Sequence, residues 1–430
     1  MVPISTHVRQ RACEEVHSRI PRERSPRGKK PRELRIEKVK NKATCIVGPR
    51  RAGKTYYLFS LIKKVEDYLY VDFENPVFYN ASPKDIITIV DAYKELYDRD
   101  PIVLLDEVQN VPDWERMVRY LLDKGLEVYV TGSSSKLLSK EIATHLRGRS
   151  LTYRLLTLSF REFLTFKGID FRGRNFYKNY NRIRGAVEEY LHYGGYPEVV
   201  LSQLKERILK EYLELIIKKD ILERFRIRNI PLINELIYYT LNNYAGHTSY
   251  DSLYRLLGQR TAATKRTIIN YLSHLEDAMY ITLLRRYTPS LRQRIAAPRK
   301  IYLIDTGYAL FGQKDVARDM ENAVLLELLR RHEPPAEIYY FHTKEGYEVD
   351  FLVKQEGRIA QLINVTYAKA YDEVDRREIR ALLHAYEQFK QDNPQLTIIT
   401  WDYEDQREHT WYRKRGVVTY VPLWKWLLNT

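Results

Sequence analysis

The stretch Gly48-Pro49-Arg50-Arg51-Ala52-Gly53-Lys54-Thr55 has the spacing G-x-x-x-x-G-K-[ST]. These residue types suit phosphate chemistry. Glycines let backbone N–H groups close around an anion that a side chain would hold off. Lys54 is spaced to reach the outer phosphates of a nucleoside triphosphate, and Thr55 to offer its hydroxyl oxygen to Mg2+. Pro49, Arg50, Arg51, Ala52 and Tyr56 complete the loop and first turn that would line the nucleotide. A second set stands in IVLLDEVQ, residues 102–109. There an apolar run delivers Asp106, for the magnesium shell, and Glu107, as the general base that polarises water. Thr131 and Ser133, in LEVYVTGSSS, are candidates to orient that water, against the plainer alternative of a loop start. Arg147 and Arg149, in HLRGRS, are candidates to stabilise transition-state charge, from their own subunit or from a neighbour.

Such a loop needs a strand before it and a helix after it, so that the anion meets a helix N-terminus. ATCIVG supplies the β-branched run, and KTYYLFSLIKKVE sets Leu58, Leu61, Ile62 and Val65 on one helical face. DYLYVDFEN, PIVLLDEVQ and LEVYVTGSSS read as further strands; PKDIITIVDAYKELYD and WERMVRYLLDKG read as helices. This alternation predicts a parallel sheet covered on both faces, an α/β core over residues 41–165. Residues 1–40, rich in Arg, Lys and Pro, predict an irregular basic arm or a solvated tail. Beyond the core, the pattern predicts a helical lid at 166–239, a winged helix at 240–315 and a second α/β domain at 316–430.

A chain of 430 residues holds about two to four domains. Its 71 Lys and Arg against 56 Asp and Glu leave a net charge of +15, which favours an anionic partner, nucleic acid first. The abundance of Lys, Arg and Glu beside only 4 Met hints at a heat-adapted source. No apolar run is long enough to span a membrane, and the N-terminus lacks the apolar block of a secretory signal. Cys13 and Cys45 are too few and too far apart for a disulfide framework or a zinc site, which fits a reducing cytoplasm. His145, His192, His247, His274, His332 and His342 show no ligand spacing with a carboxylate and read as ordinary polar residues.

SYDSLYRLLGQRTAATKRTIINYLSHLEDAMYI reads as two helices around a turn. Leu253, Leu256 and Leu257 form one apolar face; Ile268, Leu272 and Leu275 form the other. Gly258 lies in the turn, and Thr264 is placed to cap the second helix. ITLLRRYTPS and KIYLID would then form a wing. From Ala278 to Ile304 there is no acid, while Arg285, Arg286, Arg292, Arg294, Arg299 and Lys300 alternate with Tyr280, Tyr287 and Tyr302. With Lys265 and Arg266 opening the second helix, this predicts a reader of the DNA backbone. A protein-docking winged helix is the alternative.

On these motifs residues 43–200 resemble the AAA+ ATPases, specifically an archaeal and bacterial group with GPRRxGKT, LLDEVQ and LRGRS followed by LSFREF. Leu146–Ser150 and Leu158–Phe163 match the last two. That group is similar to the signal-transducing STAND ATPases, whose lid carries a GxP motif matched by Gly195-Tyr196-Pro197. The resemblance implies that Pro197 packs near the adenine; read locally, GGYP is a helix-opening turn. The resemblance covers nearly the whole chain, since residues 318–430 resemble the PD-(D/E)xK nuclease core that ends proteins of this group. Such a core binds Mg2+ through an Asp and a second acid, with a Lys assisting the attacking water. Asp350 matches the first acid and Glu321 the helix acid, but Asn364-Val365-Thr366 stands where (D/E)-x-K belongs. Asn lacks the carboxylate charge and Thr cannot replace Lys, so the domain is expected to bind or assemble rather than cut.

The expectation is an α/β chain comprising a P-loop AAA+ parallel sheet, a helical lid, a winged helix and a nuclease-like domain. It uses ATP and Mg2+, acts on DNA (branched forms among the candidates) and forms a homo-oligomer, a ring if an arginine acts in trans. The alternatives are a STAND-like switch controlling protein assembly and, behind it, a DNA nuclease.

Overall fold

Residues 43–47, ATCIV, do not alternate in polarity, and the strand they form is buried along its whole length. A strand of this kind needs cover on both faces. The computed structural model describes residues 30–62, 67–138, 144–332, 336–343 and 345–429. Cys13, Val65 and residues 1–29 of the expected arm lie outside these ranges. The chain divides into two units after Leu155, with Asp277–Met279 grouped with the first.

The first unit holds β1 (Ala43–Val47), α1 (Lys54–Leu61), β2 (Tyr68–Asp72), α2 (Pro83–Tyr97), β3 (Ile102–Asp106), α3 (Trp114–Asp123), β4 (Val128–Gly132) and β5 (Ser150–Arg154). The strands are all parallel, in the order β2-β3-β4-β1-β5. The expected alternation is present, together with an edge strand, β5, whose half-buried SLTYR carries no clear period. Ser82 and Asp85 form a capping box ahead of α2. In α3, Trp114, Met117, Val118, Leu121 and Leu122 are buried, the spacing of one helical face. Residues 30–40 are no solvated tail. Leu34 and Ile36 pack on the core beneath α1, the Arg32 guanidinium donates to the Ala52 carbonyl at 2.7 Å, and the Tyr57 hydroxyl donates to the Leu34 carbonyl at 2.6 Å.

The second unit begins with helices α4 (Phe160–Lys167), α5 (Arg174–Lys178), α6 (Tyr180–Tyr193), α7 (Pro197–Leu201) and α8 (Lys205–Leu215), the last running into a π-helix, Ile216–Glu223. The LSFREF motif is a capping box at α4. Ser159 Oγ accepts the Glu162 N–H at 3.1 Å, and the Glu162 carboxylate accepts the Ser159 N–H at 2.9 Å. Next come α9 (Ile230–Asn242), β6 (His247–Thr248), α10 (Tyr250–Leu257), α11 (Lys265–Asp277), β7 (Ile281–Arg285), α12 (Leu291–Ala296) and β8 (Arg299–Leu303), with a three-stranded sheet ordered β6-β8-β7. Thr264 Oγ accepts the Thr267 N–H at 3.2 Å, the expected cap. Leu253 and Leu257 are buried one turn apart, but Leu256 is 48% exposed, off the face assigned to it.

The chain ends with α13 (Val316–Arg331), β9 (Glu337–His342), β10 (Glu348–Gln355), β11 (Arg358–Val365), α14 (Arg376–Gln388), β12 (Gln395–Thr400), β13 (Asp405–Trp411), β14 (Lys414–Pro422) and α15 (Leu423–Leu428). Its six-stranded sheet runs β13-β14-β12-β11-β10-β9, antiparallel from β9 to β11 and parallel from β11 to β12.

Gly48 shows how tightly the first sheet is drawn. A Cβ there would lie 1.9 Å from the Leu155 carbonyl oxygen, which is backbone and cannot swing aside. Gly48→Ala is therefore expected to lower stability by about 1–3 kcal/mol. Gly185→Ala, at an exposed position of α6 with nothing within 4 Å of the new atom, is expected to raise it by about 0.5–1 kcal/mol. Denaturant unfolding of the two variants measures both, and equal effects would contradict the packing account.

Candidate functional site

Between β1 and α1 the chain turns through Arg51 and Gly53, at φ 66° and 93°. Gly53 sits at the N-cap and has no side chain to close the first turn, whose leading N–H groups have no intrahelical acceptor. The positive helix end therefore faces the loop. Lys54 is buried; its Nζ lies 3.0 Å from Glu107 Oε1 and donates to the Pro49 carbonyl at 3.2 Å. Pro49 and Ala52 are buried, Tyr56 is half-buried, Arg51 is exposed, and Arg50 pairs with Glu74. Gly48 serves the sheet: its close neighbour is Leu155, so the first glycine answers to β5.

Asp106 ends β3 and accepts hydroxyl donors from Thr55 at 2.6 Å, Tyr70 at 2.8 Å and Thr131. Glu107 follows in the left-handed region at φ 56°, a conformation a buried Glu adopts only where its surroundings impose it. They do so through Thr131 Oγ, which accepts the Glu107 N–H at 3.2 Å. The Gln109 amide (2.5 Å) and the Ser133 N–H (3.1 Å) both donate to Glu107 Oε2. Burial alone would raise this carboxyl. The Lys54 ammonium, the Gln109 amide and Arg50 outweigh it and hold Glu107 down at about 2. Thr131 and Ser133, both buried, thus hold the two carboxylates. Gln109 and Tyr70 were assigned no role from sequence. Gln109 stands inside the LLDEVQ motif, where its place beside Glu107 was a usable signal; a tyrosine in a strand carries none.

The set fits a magnesium nucleotide. Thr55 and Asp106 bring hard oxygens together, one ammonium stands beside them, and an uncapped helix start faces the same loop.

Arg147 and Arg149 lie elsewhere. Arg149 immediately precedes β5, its carbonyl accepts the Ala43 N–H at 2.9 Å, and its guanidinium pairs with Asp123 at the end of α3. This is the edge where β1 begins, whereas the loop leaves β1 at the opposite edge, about 16 Å away over five residues. Arg147 and Arg149 line a shallow basic depression with Arg116 and Arg119. Neither reaches the loop of its own chain.

In the second unit, Lys265, Arg266, Arg285 and Arg292 are exposed, Lys265 beside Asp251 at 2.5 Å. Arg286 donates to the His342 carbonyl at 2.7 Å, and Arg294 to the Thr288 carbonyl at 2.8 Å and the Tyr339 hydroxyl at 3.3 Å. These two bind the protein's own atoms, and Arg299 lies over the Tyr250 ring. Lys300 is buried and drops out of the basic stretch. Pro197 opens α7 at its first position. The glycines before it are sterically required: a Cβ on Gly194, at φ 72°, would overlap Asp305, which accepts the Gly195 N–H at 2.9 Å. Asn364 is buried, accepts the Asp350 N–H at 3.1 Å and donates to Glu378 at 2.5 Å. The Thr366 N–H donates to Ile399.

A five-stranded parallel sheet with this loop after its first strand and an acidic pair ending the strand two places away defines a P-loop ATPase core of the AAA type. The family described as an AAA domain matches residues 40–164. Two domains of unknown function, DUF8612 and DUF4143, match residues 184–314 and 318–426. The uncharacterized protein MJ1544 of Methanocaldococcus jannaschii is 37% identical over 93% of this chain and 91% of its own length. The chain belongs to the same family as that archaeal protein. An uncharacterized protein of Haemophilus influenzae is 28% identical over 84% of this chain and 90% of its own. Among solved structures, the Walker-type ATPase PABY2304 of Pyrococcus abyssi aligns with 62% of this chain and 90% of its own, at 15% identity and a TM-score of 0.41. The fold class rests on the strand order and the loop themselves. Among the described residues, no helix is long and apolar enough to cross a membrane.

Glu107 also sets a pH dependence. Its folded value of about 2 lies below the about 4.3 of an unfolded glutamate, so it stabilises the fold above pH about 4.3 and loses that contribution as pH falls toward 2. The contribution at neutral pH is on the order of 3 kcal/mol. Glu107→Gln is expected to flatten the acid limb of stability in nucleotide-free protein, as read by denaturant midpoints between pH 2 and 5; an unchanged slope would contradict it.

Proposed function

We propose that this chain is an Mg2+-dependent ATPase in which hydrolysis in the first unit is coupled to DNA binding or remodelling by the second. The observation that carries the ATPase reading is the convergence of Lys54, Thr55, Asp106 and Glu107 on one loop. Thr55 and Asp106 would hold Mg2+, which when bound draws charge from the transferring phosphoryl group. Lys54 leaves Glu107 for the outer phosphates. Glu107, released from its ammonium, becomes a better base and takes a proton from the attacking water. Thr131 and Ser133 keep the two carboxylates in place, and Pro197 is assigned to the adenine side by resemblance. Arg147 and Arg149, at the far edge of their own sheet, are assigned to the nucleotide of a neighbouring copy, which makes the working form a homo-oligomer, a ring being the closed arrangement.

DNA is favoured by the order helix, strand, helix, helix, strand, strand from α9 to β8, that of a winged helix with the short α12 set into the wing between β7 and β8, and by exposed Lys265, Arg266, Arg285 and Arg292 around it. A second reading is a slow ATP-loaded switch for protein assembly. It is favoured by Glu107 itself, a poor base while Lys54, Gln109 and Ser133 hold it. Stimulation of turnover by DNA separates the two: the first reading requires it, and tight ATP retention without it supports the second.

Lys54→Ala and Glu107→Gln are expected to cut ATP hydrolysis by at least about 100-fold, the scale of lost acid–base catalysis. Arg149→Ala mixed with Glu107→Gln, each inactive alone, is expected to regain part of the activity, because one of the two orders of a mixed interface joins an intact Glu107 to an intact arginine. No recovery from an exchanging mixture would remove the trans assignment. For DNA, alanine at Lys265, Arg266, Arg285 and Arg292 is expected to weaken binding across all sequences and to lower the slope of log K against log salt by about 1 for each phosphate-pairing side chain removed. An unchanged slope would argue against this surface.

A further inference from the structure

Three carboxylates in the second unit converge on one buried lysine. Lys300 Nζ, from β8, lies 2.6 Å from Glu321 Oε1, 2.7 Å from Glu348 Oε1 and 3.1 Å from Asp350 Oδ1. Only 3% of the lysine side chain is exposed. Glu321 comes from α13 and the other two from β10, so the ammonium joins three elements. Each acid also has a second partner. The Tyr302 hydroxyl donates to Glu321 Oε1, the oxygen that Lys300 meets, at 2.6 Å, His247 Nε2 meets Glu348 Oε2 at 2.6 Å, and the Val365 N–H donates to Asp350 Oδ2 at 2.9 Å.

The nuclease resemblance implies Mg2+ at Glu321 and Asp350. The residues present do not fit it. A divalent ion needs oxygens at about 2.0–2.6 Å on a centre of its own, and an ammonium at hydrogen-bond distance from all three acids occupies that centre. The position that should supply another acid is Asn364, whose amide links Asp350 to Glu378.

We infer that Lys300 is the resident cation of this cluster, standing where a related fold would hold a divalent metal, and that it ties the basic β7–β8 region to the terminal sheet. Burial disfavours a charged lysine, but Glu321 and its neighbouring acids outweigh it and keep Lys300 protonated well above the ordinary range. Removing one partner of such a buried set leaves uncompensated charge on the others. Without the ammonium, three carboxylates remain facing one another, and that set would accept a hard cation. This inference concerns the second unit and stands apart from the ATPase reading.

The test is Mn2+ binding to the full chain without nucleotide, counted by electron paramagnetic resonance, with thermal unfolding recorded alongside. Wild type, Asp350→Asn, Lys300→Ala, Lys300→Met and Lys300→Ala with Asp350→Asn are compared. Wild type and Asp350→Asn are expected to bind the same amount of Mn2+. Lys300→Ala and Lys300→Met are expected to gain one Mn2+ and a Mn2+-dependent rise in melting temperature, and the added Asp350→Asn to abolish both. A Mn2+ site in wild type that Asp350→Asn removes would overturn the inference, as would folded Lys300 variants that gain none. Should neither Lys300 variant fold, the comparison of wild type with Asp350→Asn decides alone.

Discussion

Lys54 and Glu107 stand 3.0 Å apart with almost no access to water. Sealing either charge away alone would cost several kcal/mol, so each offsets the cost of burying the other. This pair makes the loop after β1 and the end of β3 a single object. Glu107 must take a left-handed backbone to reach Lys54, and it is held there by Thr131 and Ser133 at the end of β4. Tyr70 on β2 completes the shell around Asp106. The site therefore requires β2, β3, β4 and β1 side by side with their C-terminal ends at one edge, the strand order found. In the mechanism proposed above, an arriving triphosphate would offer Lys54 a stronger partner, and the movement that binds the nucleotide would free Glu107 as the base.

The first unit was largely legible in sequence because its signals are contiguous. Its expected strands are short apolar runs, and the residues proposed for the chemistry stand at their ends: Lys54 and Thr55 after one, Asp106 and Glu107 at the end of another. Features made by distant partners were not legible. The packing role of Gly48 depends on Leu155, and the embrace of Asp106 by Tyr70 joins residues 36 apart in sequence. A count of basic residues misread Lys300, since composition does not say which charges face water. Arg286 and Arg294 were miscounted for the same reason, each donating to carbonyls of its own fold. Leu256 shows the limit of periodicity on a helix of eight residues, where the apolar positions outnumber those that one face can bury.

The second unit repeats the device of the first on other residues. Asp305 is enclosed by the Gly195 and Gly307 N–H groups, and Gly194 and Gly195 are glycines because there is no room for a Cβ beside Asp305 and Leu158. Lys300 is enclosed by three acids. Each hub joins segments far apart in sequence, and each spends its hydrogen-bonding capacity on the protein itself. The Lys54–Glu107 pair differs in lying beside a helix N-terminus that no side chain closes, which is why chemistry is assigned there.

The most direct measurement is the equilibrium affinity for ATP of wild type and Glu107→Gln, by calorimetry with Mg2+ present and hydrolysis monitored in the same samples. If Lys54 is shared between Glu107 and the phosphates, removing the carboxylate charge releases the lysine and lifts a repulsion. Glu107→Gln should then bind ATP about tenfold more tightly, about 1.4 kcal/mol, while failing to turn it over. Equal or weaker binding, or undiminished turnover, would contradict the account.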